Sequence, residues 1–272
     1  MKPDRFLIKI GGSIAEKNKT LLEIADALAD IWAAGNRLVL VHGGGGDISR
    51  NLELLDESPE FMDGLRVTSP RIMDMVEMTL SGYVNKKIAG FLNRQGENRG
   101  IRAVGISGVD AATLVCVPVS EKLGRVGRID RVYTGLIENL LNGGFLPVVS
   151  PVSVDEHFAH YNVNADEAAS ALASALRVDK LIFLSGVPGV LDEKGEAVLS
   201  LDAGQIGPFI KKGIASGGMI PKLKACLSVM EEGVKEIHIC GWENKARFME
   251  QISGSGKSGT VIRGKQIVES KK

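Results

Sequence analysis

The strongest constraint on this chain is a rhythm. Short apolar runs alternate with longer segments in which apolar residues recur every three or four positions. Runs too short for helices, bounded by turn residues, fit strands buried on both faces, and the helical-period segments between them fit crossover connections. Together they predict a largely parallel sheet covered by helices on both faces. The expected strands are RFLIKI (5–10), RLVLV (37–41), RAVGI (102–106), TLVCV (113–117), FLPVV (145–149), KLIFLS (180–185), KEIHIC (235–240) and GTVI (259–262). Between the first two, Leu21, Ile24, Ala25, Leu28, Ile31 and Trp32 share one helical stripe, with Thr20 and Glu23 as a capping box and Gly35 as a stop. Ser69 and Pro70 open a long helix, or a pair kinked near Gly82, and Asn164 caps the helix that follows it.

At 272 residues the chain can bury its core as one large α/β unit or as two lobes around a cleft. The best seam is near residue 178, giving lobes 1–178 and 179–272 on one continuous sheet. Thirty-three basic residues balance 33 acidic ones, so no global field favours nucleic acid or an anionic membrane, and any bound anion must be held locally. The N-terminus runs directly into a strand pattern and no apolar run is long enough to span a bilayer, so a cytoplasmic location is expected. Cys116, Cys226 and Cys240 are odd in number and form no C-x-x-C pair, which reads as buried free thiols.

Four glycine-bearing stretches stand where a strand gives way to the next element: KIGGS (9–13), VHGGGGD (41–47), SGVPGV (185–190) and SGGMIPK (216–222). At the carboxyl ends of parallel strands, glycine lets backbone N–H groups approach an anion, and helix N-termini add positive potential. Four such loops suit a long, multiply charged ligand. In VHGGGGD, Ile48 and Ser49 stand where a G-x-G-x-x-G after a strand needs its third glycine, which disfavours a nicotinamide-dependent dehydrogenase, and QISGSGKSG only mimics a phosphate-binding loop, since Gln251 stands at its first glycine position. What remains is a pair of lysines, Lys9 and Lys222, each beside a glycine-rich loop. Alone, either reads as a solvated surface residue. Together they suit phosphoryl transfer, in which the protein supplies mainly positioning and fixed positive charge.

Taken in order, KIGGS, VHGGG, GLRVT, YNVNADEAA and GGMIPKLKAC resemble the amino acid kinase family. The resemblance extends from about residue 5 to residue 262 and includes the spacers VNKKIAG, VGISGVDA and FLPVVSP. It implies a three-layer αβα sandwich around a mainly parallel central sheet, with the amino-terminal lobe holding the phosphate acceptor and the carboxyl-terminal lobe the nucleotide. Within the family the chain is most similar to members that phosphorylate the side-chain carboxylate of N-acetyl-L-glutamate with Mg-ATP on the route to arginine. By this resemblance Lys9 and Lys222 stabilise the transition state and Asp166 orients them. Gly44, Gly45, Arg66 and Asn162 meet the small-molecule acceptor, and Gly11, Gly12, Gly186, Gly189, Leu191, Ser216 and Gly218 surround the nucleotide.

The chemistry of these residues fits those roles. A carboxylate acceptor, with a reference pKa of about 4.3, is already ionised at neutral pH and needs no general base. An aspartate between two lysines holds their spacing, and an arginine fork can grip the acceptor's non-reacting carboxylate. With no carboxylate cage visible, no protein-built metal site is expected and Mg²⁺ is held chiefly by phosphates and water. Two departures stand out. Gly186 replaces an acidic residue common in relatives, and DEHFAH (155–160) replaces a glycine-containing hairpin. They leave open a kinase for another carboxylate, such as an aminoadipate derivative, or a silent amino-acid-binding member. His157 and His160 lack the further ligands of a metal site, and His42 and His238 read as packed. Arginine-inhibited hexamers of the family carry an extra N-terminal helix. This chain starts at its first strand, so a homodimer is the expectation.

Overall fold

A computed structural model describes residues 3–211, 219–255 and 258–264. Its strands are β1 (Arg5–Ile10), β2 (Arg37–His42), β3 (Phe61–Met62), β4 (Leu65–Arg66), β5 (Ala103–Ser107), β6 (Leu114–Pro118) and β7 (Val126–Val132), then β8 (Leu146–Ser150), β9 (Val152–Val154), β10 (His160–Val163), β11 (Lys180–Ser185), β12 (Ser200–Asp202), β13 (Glu236–Gly241) and β14 (Thr260–Arg263). Its α-helices are α1 (Gly12–Ala15), α2 (Asn18–Ala33), α3 (Gly45–Glu53), α4 (Pro70–Glu77) and α5 (Asn85–Gly96), then α6 (Gly135–Asn142), α7 (Ala165–Ala175), α8 (Ala203–Lys211), α9 (Met219–Glu231) and α10 (Lys245–Ile252).

Eight strands form the central sheet in the order β12-β14-β13-β11-β1-β2-β8-β5. All neighbours are parallel except β13 and β14. Because successive strand residues point to opposite faces, the sheet divides its apolar side chains between two cores. Leu7, Val39, Val41, Leu181 and Phe183 pack under α6, α7 and α9, while Ile8, Ile10, Leu38, Leu40, Ile182 and Leu184 pack under α2, α5 and α10. These are the expected three layers. No helix among the described residues is long and apolar enough to cross a membrane.

TLVCV does not join the central sheet. Its strand β6 turns back through a short connection and pairs antiparallel with β7, and β6, β7, β9 and β10 close into a small barrel. Local hairpin pairing here overrides the crossover that its apolar run suggested. The helix opened by Ser69, whose side chain accepts from the Ile72 N–H at 3.2 Å, continues through a π-helical turn at Met78–Val84 into α5 rather than breaking at Gly82. The capping box at Thr20 and Glu23 is not formed. α2 starts at Asn18, and Glu23 instead accepts from the Trp242 indole N–H at 3.2 Å. Gly35 follows the end of α2 with φ +89°, a backbone conformation that favours glycine. The three cysteines are buried and unpaired, and burial pushes each thiol up to about 12.

Candidate active site

Lys9 is the last residue but one of β1, flanked in register by Val41 of β2 and Phe183 of β11. The strand's alternation turns its side chain toward the layer that contains α7. That helix begins at Asn164, whose side chain accepts from the Asp166 and Glu167 N–H groups, so Asp166 sits in the first turn. Its Oδ1 lies 2.7 Å from Lys9 Nζ, and its Oδ2 accepts from Lys222 Nζ at 2.7 Å. Lys222, in the first turns of α9, also holds its ammonium 4.8 Å from the centre of the Phe183 ring. Burial opposes charge on Asp166, but Lys9 and Lys222 outweigh it and hold the carboxyl below its usual range. Only 11% and 12% of the two lysine side chains remain exposed. One carboxylate thus spaces two largely desolvated cations and leaves a surplus positive charge.

Around this triad the glycine loops close on one another. The Gly11 N–H donates to the Leu184 carbonyl at 2.8 Å and the Gly43 N–H to the Ile10 carbonyl at 3.0 Å, extending the pairing of β1 with both neighbours past their ends. A Cβ on Gly12 would stand 3.2 Å from the backbone nitrogens of both Gly44 and Gly45, so only glycine allows this approach without displacement. Gly44 packs against Leu80 and Val84 of the π-turn segment, while the space beside Gly45 is open. On the far side, Gly186 faces Ser13, and Gly189 lies against Thr260, whose hydroxyl oxygen accepts from the Val190 N–H at 2.8 Å. Leu191 bridges to Ala197 and stays partly exposed. Ser216 and Gly218 lie outside the described residues, as do Gly256 and Lys257 of the glycine-rich tail.

Arg66 forms the other pole. It is buried, and its Nη2 donates to the Gly45 carbonyl at 3.0 Å and to Ser49 Oγ at 2.8 Å, with the guanidinium 4.7 Å from the Phe61 ring centre. Its Nη1 is buried with no hydrogen-bond partner, and desolvation lowers its pKa. A buried guanidinium with an unused donor edge and, among the described residues, no carboxylate paired with it is a ready receptor for a carboxylate ligand. Asn162 on β10 reaches Thr68 Oγ1 at 3.4 Å, and Thr68 in turn donates to the Arg66 carbonyl at 2.8 Å, tying the barrel to the arginine. A groove of about 1180 Å³ starts at Asp166 and Lys222 and runs between α7, α9 and β7.

A sequence profile of the amino acid kinase family matches residues 4–241. This chain belongs to the amino acid kinase family. Among relatives of known name, it is 40% identical to an acetylglutamate kinase from Nitratiruptor sp. over 95% of this chain and 91% of that one. It is 41% identical to an acetylglutamate kinase from Campylobacter hominis over 95% and 90%. In three dimensions it resembles N-acetylglutamate synthase from Neisseria gonorrhoeae, crystallised with coenzyme A and N-acetyl-glutamate. The TM-score is 0.81 at 20% identity, over 97% of this chain and 60% of that longer one, a likeness of fold.

For this amino acid kinase, the structure brings Lys9, Lys222 and Asp166 into contact and sets Gly12 against Gly44 and Gly45, with Gly11 against Leu184 and Ser185. DEHFAH forms the hairpin between β9 and β10, and Asp155 Oδ1 accepts from the His157 and Ala159 N–H groups. His160 Nδ1 meets Glu77 Oε2 at 2.6 Å, and no group of three metal-ligating side chains occurs among the described residues. His42 is buried between the Gly43 carbonyl and Asn85, and desolvation lowers its pKa to about 4, so it is neutral at physiological pH. Three participants escaped sequence reasoning. Phe183 is recognisable only once strand register places it beside Lys9. Ser49 requires α3, which a run of four glycines conceals. Thr68 acts through a contact with the barrel that has no local signal.

Proposed function

We propose that this kinase transfers the γ-phosphoryl group of ATP to the side-chain carboxylate of N-acetyl-L-glutamate, making an acyl phosphate. The observation that carries this reading is the Lys9–Asp166–Lys222 cluster, with an unmatched positive charge where the glycine loops converge. The acceptor carboxylate is ionised at neutral pH and attacks without a base. Charge on the moving phosphoryl group spreads over its oxygens, where Lys9 and Lys222 neutralise it from fixed positions. Asp166 keeps the two ammonium groups from drifting apart before the anions arrive. The open donor edge of Arg66 takes the acceptor's second carboxylate, Asn162 its amide, and the Gly44–Gly45 backbone lies beside both. The turn at 186–191 borders the nucleotide, so residues 179–272 form the ATP lobe and 1–178 the acceptor lobe, from which Gly11 and Gly12 also reach the nucleotide.

Mg²⁺, expected with ATP, finds no protein-built site among the described residues, because both oxygens of Asp166 face lysines. Bound with the nucleotide, the ion would be held by its phosphates and water and would offset their charge. A cytoplasmic homodimer completes the reading, and light scattering of the purified chain tests the assembly. Hydroxylamine trapping of the acyl phosphate, run with N-acetylglutamate, N-acetylaminoadipate and aspartate, tests the function. The expected result is product with N-acetylglutamate. Product only with another acceptor rejects the substrate, and acceptor binding without any product rejects the reaction.

A further inference from the structure

Glu167, the neighbour of Asp166, has no part in the transfer described above. Its setting is nevertheless specific. In the barrel, Val115 pairs with Arg131 and Cys116 with Ile129, so Asp130 is an extra residue in β7 and forms a bulge. Beside this bulge the Ile129 N–H donates to Glu167 Oε1 at 2.7 Å. Burial raises the Glu167 pKa, offset only in part by that bond and by the charge of Arg128. A carboxyl oxygen accepts the N–H whether or not the group is ionised.

The same strand β7 pairs with β10 at Val126 and Asn162, so the bulged strand touches the acceptor wall on one side and the first turn of α7 on the other. Within that turn, the Asn164 cap bonds the Asp166 N–H at 2.8 Å and the Glu167 N–H at 3.4 Å. Those bonds fix the helix start, but they leave its rotation against the barrel to contacts such as the one made by Glu167. We propose that Glu167 is a positioning residue: its bond to Ile129 locks the first turn of α7 against β7 and thereby sets where Asp166 presents its oxygens to Lys9 and Lys222. The inference rests on the phosphoryl-transfer reading.

The test compares Glu167→Met, which keeps volume and helix propensity but loses the acceptor, with Glu167→Gln, which keeps an oxygen acceptor. Glu167→Met is expected to lower kcat roughly tenfold with both KM values within about twofold, a loss below that of a full 1 Å misplacement. Glu167→Gln should stay within about twofold of wild type. In an Asp166→Asn background, Glu167→Met should cost nothing further, because a residue acting through Asp166 cannot act once its charge is gone. Equal losses in the Met and Gln variants, or a loss that multiplies in the Asp166→Asn background, overturns the proposal. Amide hydrogen exchange supplies a readout independent of any variant's folding. The Ile129 N–H of the wild-type chain should exchange about 100-fold or more slower than a free amide, and exchange at the free rate also overturns it. A wild-type chain inactive on every acceptor, with Ile129 protected, would instead defeat the phosphoryl-transfer reading.

Discussion

Two of the places where carboxylates meet pairs of cations among the described residues serve different ends. On the face covered by α2 and α10, Asp26 and Asp30 each contact both Lys245 and Arg99, at 2.5–2.6 Å. Two negative and two positive charges balance, with 27–41% of each side chain exposed. In the candidate active site one carboxylate serves two lysines that are close to nine-tenths buried. The first network is closed and solvated, a clasp between elements distant in sequence. The second is desolvated and carries an excess cation, so only an arriving anion completes it. Counting ion pairs would rank the first network, with four, above the second, with two, whereas charge balance and exposure show that only the second is left to be completed by a ligand.

That contrast can be broken most forcefully at Lys222. Lys222→Ala should cut kcat by about 10²-fold or more while acceptor binding stays nearly intact, the scale of losing one fixed electrostatic stabiliser. A wild-type turnover number from steady-state assays would place this lysine in the same class as the surface pairs. Next in size, Arg66→Lys should raise acceptor KM about tenfold, since an ammonium cannot reproduce the bidentate fork and a charged hydrogen bond contributes about 1.5–3 kcal/mol. An unchanged KM would detach Arg66 from the acceptor.

Acidification sharpens the comparison through stability. The folded-state pKa of Asp166 is depressed, so its contribution is complete above the unfolded carboxylate range near pH 4 and is lost as pH falls through the lower folded value. His42 acts earlier. It resists protonation until about 4 when folded, whereas an unfolded histidine takes up a proton near 6.5, so stability declines as pH falls from 6.5 toward 4. Urea titrations across that window should show the decline, and His42→Gln should lessen it, leaving the part due to buried His238, whose pKa desolvation also lowers. The smallest effect belongs to the clasp. Asp30→Asn should leave kcat unchanged and cost less than about 1 kcal/mol, with the cost shrinking in high salt. A large, salt-insensitive loss would mean that the exposed network is more than a surface feature.

Much of this architecture was legible because its signals are local and redundant. Runs such as RFLIKI and KLIFLS became strands at the predicted positions, and Asn164 capped α7 as its side chain allowed. Lys9 and Lys222 could be named because glycine loops mark the ends of their elements, and Asp166 because YNVNADEAA resembles the family's pattern. The barrel was not legible, since an apolar run does not disclose which sheet it will join. Nor was the start of α2, where Lys17 precedes the helix without a side-chain cap and its carbonyl accepts from the Leu21 N–H at 2.9 Å, so the helix begins ahead of the expected Thr20. The orphan donor on Arg66 depends on the placement of Ser49, Phe61 and Gly45 together, and no short window of residues encodes that.

The position of β1 between β2 and β11 also bears on how the chain reaches its native state. Its pairing with β2 joins residues close in sequence, but its pairing with β11 joins residues 174 positions apart. Such distant pairing closes a large loop before it gains any contact, and so it slows the search. During synthesis, the first strand must wait with one edge unpaired until most of the polypeptide has emerged, an interval in which that apolar edge is open to mispairing.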